Sequence, residues 1–220
     1  MSTHRQTQIT AKHPLIAIEG GIGAGKSTLG RWIRRNTSGH YVDEYMSPML
    51  PSYFVDPHRY ALAVQVDSIV QRTRLLKAAH DVRHVGPIWL DRSIYGDLAF
   101  ARANHAVGRL DAHEYSVFSE LYDVLTETLA PPTDVLWLNT SLDVCAERRA
   151  KRSRSGEALS TDHEYTEALE AAYIDVLADA SSHGVTVHHV DWSVDLSGAG
   201  AYHSAADQLV TRIIEHGGGH

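Results

Sequence analysis

A single cysteine, Cys145, stands in 220 residues, so no intramolecular disulfide can form and a disulfide-stapled secreted module is excluded. Its neighbours Leu142, Val144 and Ala146 give that thiol apolar surroundings, which fits a buried cysteine and a reducing, cytoplasmic location. No run reaches 18 apolar residues, and Met1 to Lys12 lack the apolar stretch of a signal peptide, so neither a membrane span nor secretion is expected. Basic residues are in deficit: 20 Lys and Arg face 27 Asp and Glu, a formal net charge of -7. That balance argues against the broad cationic surface with which proteins hold nucleic acid or anionic membrane. Internal repeats are missing too, and the only low-complexity stretch is Gly217-Gly218-Gly219. The 15 histidines are scattered, and their protonation lowers the magnitude of the net charge below about pH 6.5.

What is there is a foldable chain, 43% hydrophobic and 21% charged, long enough for one domain with a full core. Short apolar runs alternate with stretches of helical period, the pattern of parallel strands joined by helical crossovers in an α/β fold. The expected strands are 15–19, 40–42, 88–91, 135–139 and 185–190. The expected helices are 26–35, 57–80, 111–129, 142–152, 164–180 and 201–216, enough to cover both sheet faces. Gly86-Pro87 and Pro131-Pro132 each precede a strand and act as turns, not linkers. Residues 1–12 and 217–220 read as flexible ends around a single domain, 13–216.

The strongest chemical signal is Gly20-Gly21-Ile22-Gly23-Ala24-Gly25-Lys26-Ser27, directly after a strand and before a helix. It satisfies the phosphate-loop pattern G-x-x-x-x-G-K-[ST], whose amides surround phosphate oxygens. Lys26 supplies a cation to the β/γ-phosphates, and Ser27 offers its hydroxyl to Mg²⁺. Asp91-Arg92-Ser93 puts an acid and a cation at a strand's carboxyl end, where α/β sheets bind ligands. There Asp91 is a metal candidate, and Arg92 can meet the transferred phosphoryl. Asp43-Glu44 ends the second strand, and either carboxylate can take the proton of an attacking hydroxyl. Arg148, Arg149, Lys151, Arg152 and Arg154 crowd five cations into seven residues of an acidic chain, with Arg148 and Arg152 on one helical face. His80 and His84 have metal-ligand spacing without an evident third ligand, and His188-His189 points to opposite faces of a strand.

In this order the motifs resemble the deoxynucleoside kinase family, the group of deoxycytidine, deoxyguanosine and bacterial deoxyadenosine kinases. The carriers are Ile18 to Thr28, Asp91-Arg92-Ser93-Ile94-Tyr95-Gly96-Asp97, and Arg148 to Arg154 followed by Glu157. The resemblance implies a three-layer P-loop kinase fold with a five-stranded parallel sheet of order 2-3-1-4-5 and an arginine-rich lid at about 148–160. It implies ATP as phosphoryl donor, held by Gly20 to Thr28 with Arg152 and Arg154, and Mg²⁺ at Ser27 and Asp91. Glu44 is then the base, and Lys26, Arg92, Arg148 and Arg152 stabilise the moving charge. The deoxynucleoside is expected against Glu44, Phe54, Gln65, Arg72, Arg92, Asp97 and Glu157. Gln65 and Arg72, seven residues apart and nearly two helical turns, can face one pocket and read a base. The resemblance further implies that Asp97 sits beside Arg72 at the base, as in members that accept purines or deoxycytidine, and thymidine is expected to be disfavoured.

The sequence departs from the family in places. Glu44-Tyr45 replaces a Glu-Pro pair, Ser153 stands where a lid glycine is common, and Phe54 aligns with a tyrosine that meets the sugar 3′-hydroxyl. That loss shifts the expectation for the 3′-hydroxyl to Glu157, with Tyr53 as the other candidate. A homodimer is implied as well. Two rival readings remain from the residues alone: a nucleoside monophosphate kinase, and a P-loop regulatory NTPase or binding switch.

Overall fold

The computed structural model describes residues 13–152, 162–193 and 199–217. Five strands, β1 (Leu15–Glu19), β2 (His40–Val42), β3 (Ile88–Asp91), β4 (Asp134–Asn139) and β5 (Thr186–Asp191), form one parallel sheet in the order β2-β3-β1-β4-β5. Between them run α1 (Lys26–Asn36), α2 (Leu50–Val55), α3 (Pro57–Val82), α4 (Ile94–Ala106), α5 (Ala112–Thr126), α6 (Leu142–Arg152), α7 (His163–Ser182) and, after β5, α8 (Ala199–Gly217).

β1 is central because every one of its five residues is buried, as a strand covered on both faces requires. It pairs on one side with β3, Ile18 opposite Asp91, and on the other with β4, Glu19 opposite Trp137. Alternation along the strands divides the core into two layers. Leu15, Ala17, Ile88, Leu90, Val135 and Trp137 face α3, α4 and α7. Ile16, Ile18, Trp89, Leu136 and Leu138 face α1 and α8, where Leu29, Ile33, Leu209 and Ile213 close the layer. Cys145 belongs to this second layer and is 2% exposed. None of the helices among the described residues is long and apolar enough to cross a membrane.

Local signals set the helix starts. Asp56 accepts from Arg59 N ahead of Pro57 in α3, Asp111 and Glu114 form a capping box on α5, and Asp162 caps α7. Two helices were not expected from the sequence pattern. α2 is a six-residue turn with Pro51 in its first turn. α4 is buried on nearly all sides, Asp97 and Asn104 included, and so lacks the polar stripe that marks an amphipathic helix.

Candidate active site

The P-loop leaves the carboxyl end of β1 and turns into α1 at Gly25, whose φ of 104° is left-handed. Gly23, with φ of 98°, is required for a second reason. A Cβ there would run into the Cys145 carbonyl and the Arg149 side chain, because α6 packs directly against the loop. Lys26 Nζ donates to the carbonyls of Gly20 at 3.0 Å and Gly21 at 3.3 Å, within the arc of the loop. Burial, helped by the nearby Arg92 cation, lowers the Lys26 ammonium to about 8.

At the end of β3, Arg92 is a non-glycine residue with φ of 73°, a backbone state that costs energy and is held by surrounding contacts. Its Nε donates to Glu44 Oε1 at 2.5 Å, and its Nη1 donates to the Tyr173 hydroxyl at 2.6 Å and to the Gly20 carbonyl at 3.3 Å. Tyr173 in turn donates to Glu19 Oε2, and Ser93 donates to Glu19 Oε1 through both its backbone N–H and its hydroxyl. Arg92 is thereby locked between two carboxylates, against the Phe100 ring at 4.6 Å. Burial alone would raise the Glu44 carboxyl, but Arg92, Lys26 and Arg72 outweigh it and hold the group at about 2. Asp43, its neighbour, is exposed and pairs outward with Arg34 at 2.8 Å, so the two carboxylates that ended β2 in the sequence face different partners.

Asp91 is 4% exposed. Its Oδ2 accepts from the Tyr41 hydroxyl at 2.6 Å and from Ser27 Oγ at 3.4 Å, while its Oδ1 is buried without a partner among the described residues. Deeper in, Arg72 Nε donates to Asp97 Oδ2 at 2.9 Å and Nη1 donates to the Asp91 carbonyl at 3.3 Å. Thus α3 and α4 meet through a buried ion pair. Gln65, two turns earlier on α3, is 5% exposed and makes no side-chain hydrogen bond among the described residues. Phe54 is half-buried on α2. Tyr53 turns away into a buried network, donating to Asn104 Oδ1 and accepting from Arg109 Nη1.

The arginine-rich segment is described only in part. Arg148 donates to the carbonyls of Ala24 and Trp192, and Arg149 donates to the Ile22 carbonyl at 2.8 Å, so both guanidinium groups reach the P-loop backbone. The Arg152 side chain, Arg154, Glu157 and the rest of the expected lid lie outside the described residues. His80 and His84 each meet a backbone carbonyl, His188 meets Asp134, and no cluster of three metal-ligating side chains occurs among the described residues.

Sequence reasoning named the P-loop, Glu44, Asp91, Arg92, Arg72 and Asp97, and these lie together. It gave no role to Glu19, Tyr41 or Tyr173, and it counted Arg149 only within the arginine-rich segment. Glu19 carried a signal, as an acid at a strand end one residue before the loop. Tyr173 carried none, since it sits in a buried stripe of α7 with Tyr165, Leu169 and Val176.

A phosphate loop feeding α1, with an acid and a guanidinium at neighbouring strand ends of a parallel α/β sheet, defines a P-loop phosphotransferase. A family model described as deoxynucleoside kinase matches residues 16–215, and the chain belongs to that family. It is 33% identical to a probable deoxycytidine kinase of fowlpox virus over 152 residues, 66% of this chain and 64% of the relative. It is likewise 33% identical to a deoxyguanosine kinase of Lactobacillus johnsonii over 158 residues, 67% of this chain and 68% of the relative. Among solved structures, a deoxyadenosine kinase from M. mycoides with bound dATP matches at a TM-score of 0.77 and 24% identity, covering 91% of this chain and 99% of that one. A structure of that kinase with bound dCTP matches at 0.76.

Proposed function

We propose that this protein transfers the γ-phosphoryl group of ATP to the 5′-hydroxyl of a deoxynucleoside, purine deoxynucleosides foremost and deoxycytidine as well, to give the 5′-monophosphate. The observation that carries the reading is the line of groups running from Lys26 through the Glu44–Arg92 pair to the buried Arg72–Asp97 pair. In this reading Lys26 marks the donor end, Glu44 the proton acceptor, and Arg72 with Asp97 the base-reading end. Lys26 and the loop amides hold the donor phosphates. Glu44 stays ionised across the working pH range, so it orients the 5′-hydroxyl as an acceptor and takes its proton late, once bonding to phosphorus has made that oxygen acidic. Arg92 follows the charge on the moving phosphoryl group, and its left-handed backbone and contacts to Glu19 and Tyr173 preorganise it for that task. The arginine segment, Arg148, Arg152 and Arg154, acts from the donor side. Gln65, Arg72 and Asp97 read the base, Phe54 faces the sugar, and the family resemblance assigns Glu157 to its 3′-hydroxyl.

Mg²⁺ fits the residues present, because Asp91 Oδ1 is a buried carboxylate oxygen without a donor among the described residues and Ser27 Oγ lies 3.4 Å from its partner oxygen. Ser27 and Asp91 would hold the ion, which draws negative charge off the β- and γ-phosphate oxygens. A homodimer and a cytoplasmic setting complete the proposal, supported by the family resemblance and by the single buried cysteine. The acidic net charge favours a small-molecule substrate over a nucleic-acid partner.

Labelled ATP offered with the four deoxynucleosides and their 5′-monophosphates tests the reading. Deoxynucleoside monophosphates should form from the nucleosides. Phosphorylation of the monophosphates alone would make the protein a monophosphate kinase, and ATP hydrolysis without a phosphorylated nucleoside would make it a regulatory NTPase.

A further inference from the structure

Gly30 sits in the middle of α1, where glycine costs a helix about 1 kcal/mol relative to alanine. The cost has a visible cause: a Cβ at Gly30 would overlap the phenol of Tyr41, whose ring lies directly against the helix backbone. Tyr41 is on the edge strand β2, opposite Trp89 of β3. From there its side chain runs along the α1 face of the sheet, under the Arg34 guanidinium at 5.1 Å, to place its hydroxyl 2.6 Å from Asp91 Oδ2. The missing side chain of one residue is the space through which another reaches a carboxylate.

We propose that Tyr41 is a positioning residue for the Asp91 carboxylate, fixing its rotation so that Oδ1 is presented to Mg²⁺, and that Gly30 is the residue that admits it. The inference rests on the reading of Ser27 and Asp91 as the metal-holding pair. Asp91 Oδ2 is saturated by two hydroxyl donors, Tyr41 and Ser27, whereas Oδ1 is buried with none among the described residues. A carboxylate with one oxygen tied and one free has a single useful orientation. The choice of donor matters equally. A lysine or arginine on Oδ2 would set the rotation but bring positive charge beside a cation, while a phenol orients the group and leaves its negative charge intact. Partners that orient a ligand through its other oxygen or nitrogen typically carry ten- to a hundredfold in metal affinity.

The test is Mn²⁺ binding, followed by the paramagnetic signal of the free ion, to the protein saturated with a non-hydrolysable ATP analogue. Tyr41→Phe keeps the ring in its slot and removes one hydroxyl, so the fold and the metal-free affinity for the analogue should stay as in wild type. Mn²⁺ affinity should fall about tenfold or more. Gly30→Ala should do the same by expelling the ring and should also lower the melting temperature. Gly30→Ala/Tyr41→Val, which relieves the overlap, should recover the melting temperature but not the Mn²⁺ affinity. Unchanged Mn²⁺ affinity in Tyr41→Phe overturns the proposal and makes the tyrosine a packing residue. Asp91→Asn separates this failure from the deeper one. If Asp91→Asn weakens Mn²⁺ and Tyr41→Phe does not, only the role of Tyr41 is lost, whereas no effect of Asp91→Asn refutes the metal site itself.

Discussion

Replacing Asp97 by alanine strips the counter-charge from a guanidinium that has almost no other recourse. Asp97 and Arg72 are 3% and 5% exposed and share a 2.9 Å hydrogen bond. Without it Arg72 keeps one long bond to the Asp91 carbonyl and the distant attraction of Glu44. At pH 7.5, where Asp97 is ionised, breaking a buried pair by removing one partner costs about 3–5 kcal/mol, and the residual contacts place Asp97→Ala at the low end, about 3 kcal/mol. In a chain of this size each kcal/mol moves the midpoint by about 2–4 °C, so the variant should melt about 6–12 °C below wild type. Removing both charges is different in kind. Arg72→Met/Asp97→Ala leaves no unpaired ion and should return to within about 1 kcal/mol of wild type. Activity should not return with it: purine kcat/KM should stay roughly ten- to a hundredfold down in both variants, because the base has lost a charge-assisted partner. Burial pushes the Asp97 carboxyl up to about 6 against the opposing pull of Arg72. The folded protein therefore holds this proton up to about pH 6, while the unfolded chain releases it near 3.8. The group's contribution to stability is then full below pH 3.8 and is lost as pH rises through 6, and Asp97→Asn should flatten that slope. Denaturant melts from pH 4 to 7.5, with kcat/KM for deoxyadenosine and thymidine, read all three arms. A single mutant within 1 kcal/mol of wild type and unchanged in base discrimination would show that the Asp91 carbonyl and Glu44 satisfy Arg72 and that the pair reads nothing.

Lys26, held at about 8 by burial and Arg92, should gain a proton when phosphates arrive. Calorimetry of ADP binding at pH 8.5, in buffers of different ionisation enthalpy, should show proton uptake that vanishes at pH 6.5 and in Lys26→Ala; equal uptake in that variant assigns the proton elsewhere. Glu44→Gln should lower kcat about a hundredfold or more, while Asp43→Asn, which loses only an exposed pair with Arg34, should stay within about twofold; the reverse order would make Asp43 the base. The Tyr53 hydroxyl is committed to Asn104 and Arg109, so a 2′,3′-dideoxynucleoside should lose only about fivefold in kcat/KM and Phe54→Tyr should widen that gap. A thousandfold wild-type preference for the 3′-hydroxyl, abolished by Tyr53→Phe, would put the neighbouring tyrosine on the sugar.

What could be read from the chain was whatever neighbours in sequence determine. β1 and the loop after it were legible because an apolar run followed by G-x-x-x-x-G-K-S is complete within 13 residues, Leu15 to Ser27. The sheet order came through the family resemblance, and strand pairing confirms it. α4 escaped because burial on nearly all sides leaves no period to detect, and its Asp97 and Asn104 look like interruptions until Arg72 and Tyr53 are seen against them. α5 ends at Thr126, not Leu129, since the turn before Pro131-Pro132 begins earlier than apolar spacing indicates.

The site divides along the same line. Glu44 and Arg92 stand at strand ends, a position that sequence can locate, and nothing local states that they touch. Tyr173 lies 154 residues from the Glu19 it bonds, so its part in holding Arg92 exists only in the folded chain. Gly30 is the sharpest case. In the sequence it is a mild defect in a good helix, and in the fold it is the gap that lets Tyr41 reach Asp91. A propensity scale scores such a residue against the helix because the scale carries no information about the strand that crosses it. The positions at which local preference is violated inside a well-formed element are therefore the ones to inspect for contacts that serve the site.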